Sequence, residues 1–417
     1  MTARQVPIPV ASRPATNPAV VVFSSLFPSP AQPNAGIFIR ERMFRVAQHL
    51  PLIVVAPAPW FPFQSLLRWF KPHFRPDAPR RETQLGVEVR RPRFLSAPGV
   101  LKHLDGFFMA IGAFATIRRL RGAGQVDIID AHFAYPDGYA AVLLGKWLSL
   151  PVTITLGGTE SRLAADQRFR PLVARALRGA TQVFSVSASL RSLAIELGAD
   201  PGKVEVVGNG VDLARFAPQD RTSARSALGL TPDAPVLVSV GGLVPRKGMQ
   251  RVIALLPELR KRHPAITYLV VGAGSAEGNT RPALEQQVDQ LGLRANVRFL
   301  GQRAPDELAS ILSAADVFVL WTSNEGWANV FLEAMACRLP VVTTDVGGNR
   351  EVVANADVGT IVAFEDAQGM MAALSDALAR TWDRAAIRAY AERNSWDCRV
   401  DRLCEHFRRI APVRSAA

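Results

Sequence analysis

Two glutamates, Glu325 and Glu333, stand eight positions apart around a glycine and the beginning of an apolar run. Gly326 permits a tight loop, and the apolar spacing after it predicts a helix that begins near Ala328. The first turn of such a helix presents backbone N–H groups without intrahelical partners and the positive end of the helix dipole. This end suits a phosphate, and the flanking carboxylates can accept hydrogen bonds from hydroxyl groups. The stretch therefore indicates a ligand with hydroxyls on both sides of a phosphate, such as a sugar nucleotide.

Two further glycine-containing loops also follow predicted strands. The loop from Gly241 to Gly248 contains Lys247, whose ammonium group can neutralise a diphosphate. The turn Gly347-Gly348 offers backbone N–H groups to a phosphate or to a sugar. In open α/β sheets ligands bind beside the carboxyl ends of the strands, so we expect the three loops to converge on one ligand.

The sequence gives little support for a bound dinucleotide or a divalent metal. The segment Val271-Gly272-Ala273-Gly274 resembles the start of a dinucleotide-binding fingerprint, but it follows the second strand of its unit rather than the first. The third glycine of that fingerprint is missing, because Gly278 lies one position too far along the chain. No Asp-X-Asp sequence occurs, so that carboxylate pair is not available to hold a divalent metal on a diphosphate. We therefore expect neither NAD nor a metal.

Alternating strands and helices extend along the chain and predict two successive α/β units with parallel sheets covered by helices. With 417 residues the chain exceeds what one hydrophobic core usually spans. The expected domains are residues 1–215, with residues 385–417 (helical over 385–410) packing back on them, and residues 216–384. Strands are expected at 20–23, 52–56, 126–130, 152–156, 183–186 and 204–207, and then at 236–240, 267–271, 297–300, 317–320, 341–343 and 360–362; helices are expected at 40–50, 139–148, 168–177 and 188–197.

Positive charge is concentrated in the first half of the chain. Residues 1–210 contain 25 Lys and Arg against 13 Asp and Glu, a net charge of 25 − 13 = +12, whereas the remainder contains 24 against 23, a net of +1. This asymmetry indicates an anionic partner, for which a membrane surface, an acidic glycan and a nucleic acid are all open; simple decoration of the surface is the alternative.

Two stretches of this basic half combine aromatic and basic residues. Residues 59–81 contain Trp60, Phe61, Phe63, Trp69, Phe70 and Phe74 together with Arg68, Lys71, Arg75, Arg80 and Arg81. Residues 101–121 place Phe107, Phe108, Met109 and Ile111 before Arg118, Arg119 and Arg121. Contact with a membrane interface and ordinary core-facing helices with basic edges are both compatible with this pattern.

The expected location is cytoplasmic, peripheral on the inner membrane face if these stretches touch the bilayer. Three cysteines, Cys337, Cys398 and Cys404, show neither metal-ligand nor paired spacing, which favours a reducing compartment. No apolar run reaches the ~20 residues of a transmembrane helix. The proline-containing N-terminus makes a poor signal peptide.

The sequence as a whole resembles the family-4 retaining glycosyltransferases, whose GT-B fold consists of two Rossmann-like domains facing each other across a cleft. The resemblance is dense from about residue 205 to 365. It rests on the stretch from Glu325 to Ala336 (EGWANVFLEAMA), on Asn209-Gly210-Val211-Asp212 with Phe216, Lys247-Gly248, Phe299-Leu300-Gly301 and Ala315-Asp316-Val317-Phe318, and on Pro340-Val341-Val342 and Gly347-Gly348 with Glu351.

The resemblance implies transfer of a hexose, with retention, from a nucleoside diphosphate sugar. The missing Asp-X-Asp pair predicts that this transfer is metal-independent. The basic, aromatic-rich first half favours a glycan or lipid-linked acceptor in exopolysaccharide or cell-surface polysaccharide assembly. GDP-mannose and UDP-hexoses are the expected donors. By position, Lys247 would neutralise the diphosphate, Glu325 would hold the sugar and Glu333 the ribose. Gly36 would approach the diphosphate, and His132 would lie near the transferred sugar. The remaining donor-binding residues would be Arg246, Gly326, Trp327, Ala328, Asn329, Gly347 and Gly348.

Three positions depart from the family pattern. Gly242 stands where the family commonly has an arginine, and Arg246 is a candidate substitute. Gly157-Gly158 replaces a frequent His-Gly pair, and Arg338 stands where a glycine is usual. Within the fold, a sugar-nucleotide epimerase or a phosphorylase is the alternative activity. A non-enzymatic nucleic-acid-binding protein is the alternative of another class, although no nucleic-acid-binding motif is present.

Overall fold

The computed structural model describes residues 17–411 except 34, 63, 65–68, 70–73 and 276. These residues form two compact units. One contains the described residues up to Gly208 together with those from Arg399 onward, and the other contains Asn209–Cys398. Both units combine sheets and helices as the alternating pattern predicts.

The first unit is built on an eight-stranded sheet in which every neighbouring pair except β4 and β5 is parallel. Its order is β10-β9-β8-β7-β1-β2-β5-β4, and β3 and β6 form a separate two-stranded parallel sheet. The strands are β1 Val20–Phe23, β2 Leu52–Val55, β3 Ala58–Trp60, β4 Arg81–Gln84, β5 Val87–Arg90, β6 Arg93–Leu95, β7 Ile128–His132, β8 Val152–Leu156, β9 Gln182–Ser185 and β10 Val204–Val206. The helices are α1 Ile37–Val46, α2 Asp105–Gly122, α3 Tyr139–Leu148, α4 Thr159–Ala165, α5 Arg170–Gly179 and α6 Ala188–Glu196.

The second unit contains a six-stranded, all-parallel sheet of order β13-β12-β11-β14-β15-β16. Its strands are β11 Val236–Val240, β12 Thr267–Val271, β13 Val297–Gly301, β14 Val317–Leu320, β15 Val341–Thr344 and β16 Gly359–Val362. The helices are α7 Arg221–Ala227, α8 Met249–Arg262, α9 Arg281–Gln290, α10 Pro305–Ala314, α11 Asn329–Ala336, α12 Asn349–Val352, α13 Ala367–Ala379 and α14 Arg384–Arg393. A last helix, α15 Trp396–Ile410, passes from the second unit into the first.

The boundaries between the units differ from the expected ones because of where two segments bury their apolar side chains. Val211 and Phe216 belong to the core of the second unit, so the division falls at Gly208 and not at residue 215. Ile387 and Ala391 of α14 belong to the same core, and only the residues from Arg399 onward join the first unit. There Val400, Leu403 and Phe407 pack with the core residues of β1 and α1, such as Val20 and Ile39.

The helical segment expected at 385–410 is two helices, because a short strand-like contact interrupts it. Val211 forms a parallel bridge with Ser395, its N–H donates to the carbonyl of Asn394, and its own carbonyl accepts from the N–H of Trp396. Gly210 permits this approach, since a Cβ there would lie 2.4 Å from the backbone nitrogen of Trp396. The bridge sets where α14 ends and α15 begins.

The segment 59–81 is only partly described: Phe63, Arg68, Phe70 and Lys71 lie outside the described residues. Phe61 and Phe74 contact each other edge to face at 6.4 Å, and the guanidinium of Arg75 lies 5.8 Å from the ring of Phe61. Among the described helices none combines the length and hydropathy that crossing a bilayer requires.

Candidate active site

The loops that follow β11 and β14 leave the same edge of the second sheet. These strands are neighbours, and the chain continues from β11 to β12 and β13 on one side and from β14 to β15 and β16 on the other. Such a reversal of strand order opens a crevice at the carboxyl ends of the strands, which is where doubly wound sheets bind ligands. The predicted residues Arg246 and Lys247 follow β11, and Glu325 to Asn329 follow β14.

The two loops are joined through their backbones. The N–H of Ser323 donates to the carbonyl of Arg246 at 2.9 Å. Gly248 has φ +76°, and a Cβ at this position would lie 1.8 Å from the carbonyl oxygen of Trp321. Glycine is therefore required here for both the left-handed backbone and the close approach of the loops.

Lys247 and Glu325 form an ion pair at this edge. The Nζ of Lys247 lies 2.6 Å from Oε1 of Glu325, and the hydroxyl of Thr322 donates to the same oxygen at 3.0 Å. Glu325 is 8% exposed. A carboxylate and an ammonium group are thus held together in a largely desolvated position, where their electrostatic effect on a ligand is stronger than in water.

Arg246 extends the charge cluster, but Glu277 holds most of its guanidinium. Its Nε and Nη2 donate to the two carboxylate oxygens of Glu277 at 2.7 and 3.2 Å, while Nη1 lies 3.6 Å from Oε1 of Glu325. The hydrogen bonds to Glu277 raise the pKa of Arg246. Glu277 leaves no spacing signal in the sequence, because it lies 31 residues from Arg246.

The Gly347-Gly348 turn supports the backbone of Glu325. Gly347 has φ +53°, and a Cβ there would lie 1.7 Å from the carbonyl oxygen of Glu325. The N–H of Gly348 donates to that same carbonyl at 3.2 Å. The turn therefore meets the 324–328 loop as expected, although the Gly348 N–H that was predicted to face a ligand is used within the protein.

Helix α11 begins at Asn329, close to the expected start, after Gly326, Trp327 and Ala328. Among the described residues, no side chain caps its first turn. The indole Nε1 of Trp327 is buried and has no hydrogen-bond partner in the part of the chain that the structure describes. Glu333 lies one turn beyond Asn329 and is partly exposed. The start of α11 and the indole N–H of Trp327 therefore both lie in the segment that follows β14.

His132 and Gly36, the two other predicted site residues, belong to the first unit. His132 is the last residue of β7, since that strand begins two residues later than expected, and it is 3% exposed. Its Nε2 lies 3.2 Å from Oδ2 of Asp130, whose Oδ1 accepts a hydrogen bond from the hydroxyl of Thr153. Gly36 precedes α1 with φ +66°, and a Cβ there would lie 2.2 Å from the carbonyl oxygen of Leu26.

A buried carboxyl group missed by the sequence analysis lies at the strand-order reversal of the first sheet, between the segments that follow β1 and β7. Asp137 is 1% exposed and accepts hydrogen bonds from the N–H and the hydroxyl of Ser25. Burial raises the pKa of Asp137 to about 7. Glu160 accepts from the N–H groups of Ala134 and Gly158, and burial raises its pKa as well. In the sequence, Tyr135-Pro136-Asp137-Gly138 reads as an ordinary turn, which hid Asp137.

Within the described residues, no group of three or more His, Cys, Asp or Glu side chains is arranged to hold a metal ion. Lys247 and Arg246 are two cationic side chains at the edge of the second sheet.

Two known families match the chain. The family described as Glycosyl transferases group 1 matches residues 220–394, and the family described as Glycosyltransferase Family 4 matches residues 68–215. A D-inositol 3-phosphate glycosyltransferase from Rhodococcus erythropolis is 37% identical over 221 residues, 51% of this chain and 50% of that protein. The chain thus spans about half the length of this relative. One of the same name from Nocardia farcinica is 33% identical over 79% of this chain and 71% of its own length.

TuaC of Bacillus subtilis, provisionally named a teichuronic acid biosynthesis glycosyltransferase, is 30% identical over 79% of this chain and 81% of its own length. Among solved structures, sucrose-phosphate synthase from Thermosynechococcus elongatus has a TM-score of 0.72 at 19% identity, covering 94% of this chain and 99% of that chain. Anabaena HepE in complex with UDP has a TM-score of 0.70 at 20% identity, covering 93% and 99%. On this sequence and structural similarity, the chain belongs to the family-4 glycosyltransferases and has the GT-B fold of two Rossmann-like domains.

Proposed function

We propose that the protein transfers a hexose from a nucleoside diphosphate sugar to a glycan or lipid-linked acceptor, with retention at the anomeric carbon and without a metal. The observation that carries this proposal is the Lys247–Glu325 ion pair at the strand-order reversal of the second sheet. There the ammonium group of Lys247, which can bind a diphosphate, lies beside the carboxylate of Glu325, which can accept hydrogen bonds from hydroxyl groups. The complexes of HepE with UDP and with UDP-glucose support a UDP-hexose donor, and GDP-mannose is the alternative donor.

In this proposal the donor diphosphate takes the place of Glu325 as the partner of Lys247. Lys247 then stabilises the negative charge that develops on the leaving phosphate, with help from Arg246 and the uncapped start of α11. Glu325, released from the ion pair, accepts hydrogen bonds from the hydroxyls of the sugar, and Glu333 accepts from the ribose. No side chain is required as a nucleophile, because the departing phosphate can take the proton of the acceptor hydroxyl.

We propose that His132 lies near the transferred sugar and that Gly36 approaches the diphosphate. Both residues belong to the first unit. The acceptor would be a glycan or a lipid-linked glycan in the assembly of an exopolysaccharide or another cell-surface polysaccharide. The name of TuaC supports polysaccharide assembly, and the name of the Rhodococcus and Nocardia relatives supports a phosphorylated polyol as a further acceptor class. A cytoplasmic enzyme would bind a lipid-linked acceptor at the inner, anionic membrane surface.

Donor identity can be tested by thermal shift across a panel of sugar nucleotides. A ligand present at 100 times its dissociation constant adds about 2.7 kcal/mol to the free energy of unfolding, so the true donor should stand out. Release of the nucleoside diphosphate in the presence of the matching acceptor then measures turnover. The proposal fails if no sugar nucleotide binds, or if bound donor is never consumed with any polyol, glycan or lipid-linked acceptor.

Two alternatives have distinct outcomes in the same experiments. An epimerase would convert the donor into another sugar nucleotide or release its sugar without an acceptor, and a phosphorylase would require inorganic phosphate. A nucleic-acid-binding protein, which the basic first half alone favours, would bind duplex DNA with strong salt dependence and no donor.

A further inference from the structure

The guanidinium group of Arg246 is held from two sides. Its Nε and Nη2 donate to the two carboxylate oxygens of Glu277, and its Nη1 donates to the carbonyl oxygen of Asn324 at 3.2 Å. Arg246 follows β11, Glu277 follows β12 and Asn324 follows β14, and β12 and β14 are the two neighbours of β11 in the sheet. A guanidinium group is planar and its donors have fixed directions, so anchors on both sides determine its orientation.

The segment that carries Glu277 is tied to the loop that carries Arg246. The N–H of Leu243 donates to the carbonyl of Ala273, and the N–H of Thr280 donates to the carbonyl of Leu243, both at 2.8 Å. The N–H of Glu277 itself donates to the hydroxyl of Ser275 at 3.2 Å. Backbone hydrogen bonds on both sides of Glu277 therefore set its place beside the loop that follows β11.

The nitrogen of Arg246 that Glu277 does not use lies next to the Lys247–Glu325 ion pair. Nη1 lies 3.6 Å from Oε1 of Glu325. The same oxygen accepts hydrogen bonds from Nζ of Lys247 at 2.6 Å and from the hydroxyl of Thr322 at 3.0 Å. Two cationic groups thus converge on the place that Oε1 occupies. An anionic oxygen that replaced Oε1 there would be close to both of them.

We propose that Glu277 is a positioning residue for the donor: it holds the Nε–Nη2 edge of Arg246 so that Nη1 meets the donor diphosphate where Oε1 of Glu325 lies in this structure. The proposal rests on the proposed function and adds to it a residue that acts through Arg246. Ordering a long side chain during binding costs affinity, and Glu277 lowers this cost by ordering Arg246 beforehand.

The effect of Glu277 should appear in donor binding and not in stability. The side chains of Arg246 and Glu277 are 35% and 48% exposed, and an ion pair this exposed contributes little to the free energy of unfolding. Competition is the opposite reading, in which Glu277 withdraws Arg246 from the diphosphate. The geometry favours positioning, because Glu277 binds the Nε–Nη2 edge and leaves the nitrogen beside Glu325 to other acceptors.

The test is a double-mutant cycle on the full-length protein, with UDP and GDP as probes and isothermal titration calorimetry as the measurement. R246A should weaken binding of the nucleoside diphosphate by about tenfold, the size of one charge-assisted hydrogen bond at a partly exposed position. E277A should weaken it by about threefold to tenfold, a part or all of the same contribution. R246A/E277A should bind no more weakly than R246A, since Glu277 acts only through the guanidinium group. A residue that merely held its loop would weaken binding in both backgrounds.

A matched control lies at the other edge of the same sheet. Arg294 donates from Nε and Nη2 to the two carboxylate oxygens of Asp289, as Arg246 does to Glu277. Both residues of this pair precede β13, at the amino ends of the strands. D289A therefore removes an equivalent carboxylate away from the site, and its dissociation constants should equal those of the wild type. Thermal melts of E277A and D289A without nucleotide should coincide with the wild-type melt.

Tighter nucleotide binding by E277A would overturn the proposal, since Glu277 would then compete with the diphosphate for Arg246. Unchanged binding by E277A, an equal loss in the wild-type and R246A backgrounds, or an equal loss in D289A would overturn it as well. If the wild type binds neither UDP nor GDP, the proposed donor fails and the role of Glu277 fails with it. If the cycle behaves as expected but no acceptor is ever glycosylated, the proposed transfer fails while the role of Glu277 in nucleotide binding stands.

Discussion

The Nζ of Lys247 and Oε1 of Glu325 lie 2.6 Å apart although 78 residues separate them in the chain. Each side chain is carried by a loop that follows one of two neighbouring parallel strands, β11 and β14. The glycines at 248 and 347 let three loops approach so closely that backbone atoms of the neighbouring loop occupy the places of their missing Cβ atoms. The ion pair is thus a product of sheet topology and of a few positions that only glycine can fill.

Replacing Lys247 by alanine should reduce turnover by about 10²–10³, the usual effect of removing one group that stabilises charge in the transition state. The loss should fall mainly on kcat, because the charge on the leaving phosphate grows as the bond breaks. Steady-state kinetics with saturating donor measure it. Lys261→Ala is the control, since Lys261 is exposed and pairs with exposed Glu258. Near-normal turnover of the Lys247 variant would contradict the proposed role.

Replacing Gly347 by alanine should destabilise the protein and displace Glu325. Both Gly347 and Gly292 have positive φ, +53° and +63°, so alanine at either position costs about 1–2 kcal/mol in backbone strain. At Gly292 the added Cβ would meet no atom of the described residues within 4 Å beyond its neighbours in the chain, whereas at Gly347 the carbonyl oxygen of Glu325 is 1.7 Å away. The free energy of unfolding should therefore fall about 1–3 kcal/mol further in Gly347→Ala. Equal losses in urea unfolding of the two variants would show that the contact is unimportant.

Elements with long apolar runs could be predicted from the sequence to the residue. Strands β8, β11, β12 and β14 and helix α3 have the expected limits, because buried parallel strands are continuous apolar runs and α3 has a clear helical period. The hairpin of β4 and β5 was missed. Its turn contains Leu85 and Gly86, both at positive φ, and leucine at such a position gives none of the Asn-Gly or Asp-Gly signal of a tight hairpin.

The candidate site also has a part that the sequence predicts and a part that it does not. The convergence of the loops carrying Lys247, Glu325 and Gly347 followed from the rule that ligands bind at the carboxyl ends of parallel strands. Hydrogen-bond partners that only the fold brings together show no spacing pattern in the sequence. Glu277 on Arg246 and Ser25 on Asp137 are of this kind, being 31 and 112 residues away from the groups they bind.

Replacing Asp130 by asparagine should impair both stability and activity. Asp130 is 1% exposed, accepts a hydrogen bond from Thr153 at 2.6 Å, and lies 3.2 Å from Nε2 of His132. Its charge also favours the ionised form of Arg42, whose pKa burial lowers to about 10. Asparagine keeps the shape but removes the charge, so we expect a loss of about 1–3 kcal/mol in the free energy of unfolding.

Turnover of Asp130→Asn should fall as well under the proposed role of His132, since Nε2 of His132 lies 3.2 Å from the carboxylate without a hydrogen bond, an electrostatic contact that asparagine loses. Thr153→Val is the control, because it removes one hydrogen bond to Asp130 and leaves the contact with His132. It should cost about 1 kcal/mol of stability with little loss of turnover. If Thr153→Val lost as much turnover as Asp130→Asn, the effect would come from packing around the strand and not from the carboxylate beside His132.

Asp137 should make the protein less stable as the pH rises from about 4 to about 7. Burial raises the pKa of this carboxyl from 3.8 to about 7, so in that range the folded protein holds a proton that the unfolded chain has released. The resulting stabilisation is complete below the unfolded pKa and is lost as pH rises through the folded pKa, on the order of 4 kcal/mol in all. Asp137→Asn lacks this titration. The other carboxyl groups, including Glu160, are present in both proteins, so their contributions cancel in the difference between the two free energies of unfolding. The measurement is the free energy of unfolding in urea, taken for Asp137→Asn and for the wild type at each pH. The value for Asp137→Asn minus that for the wild type should rise between pH 4 and 7 and then level off. A difference that stayed constant across this range would contradict a neutral, buried Asp137.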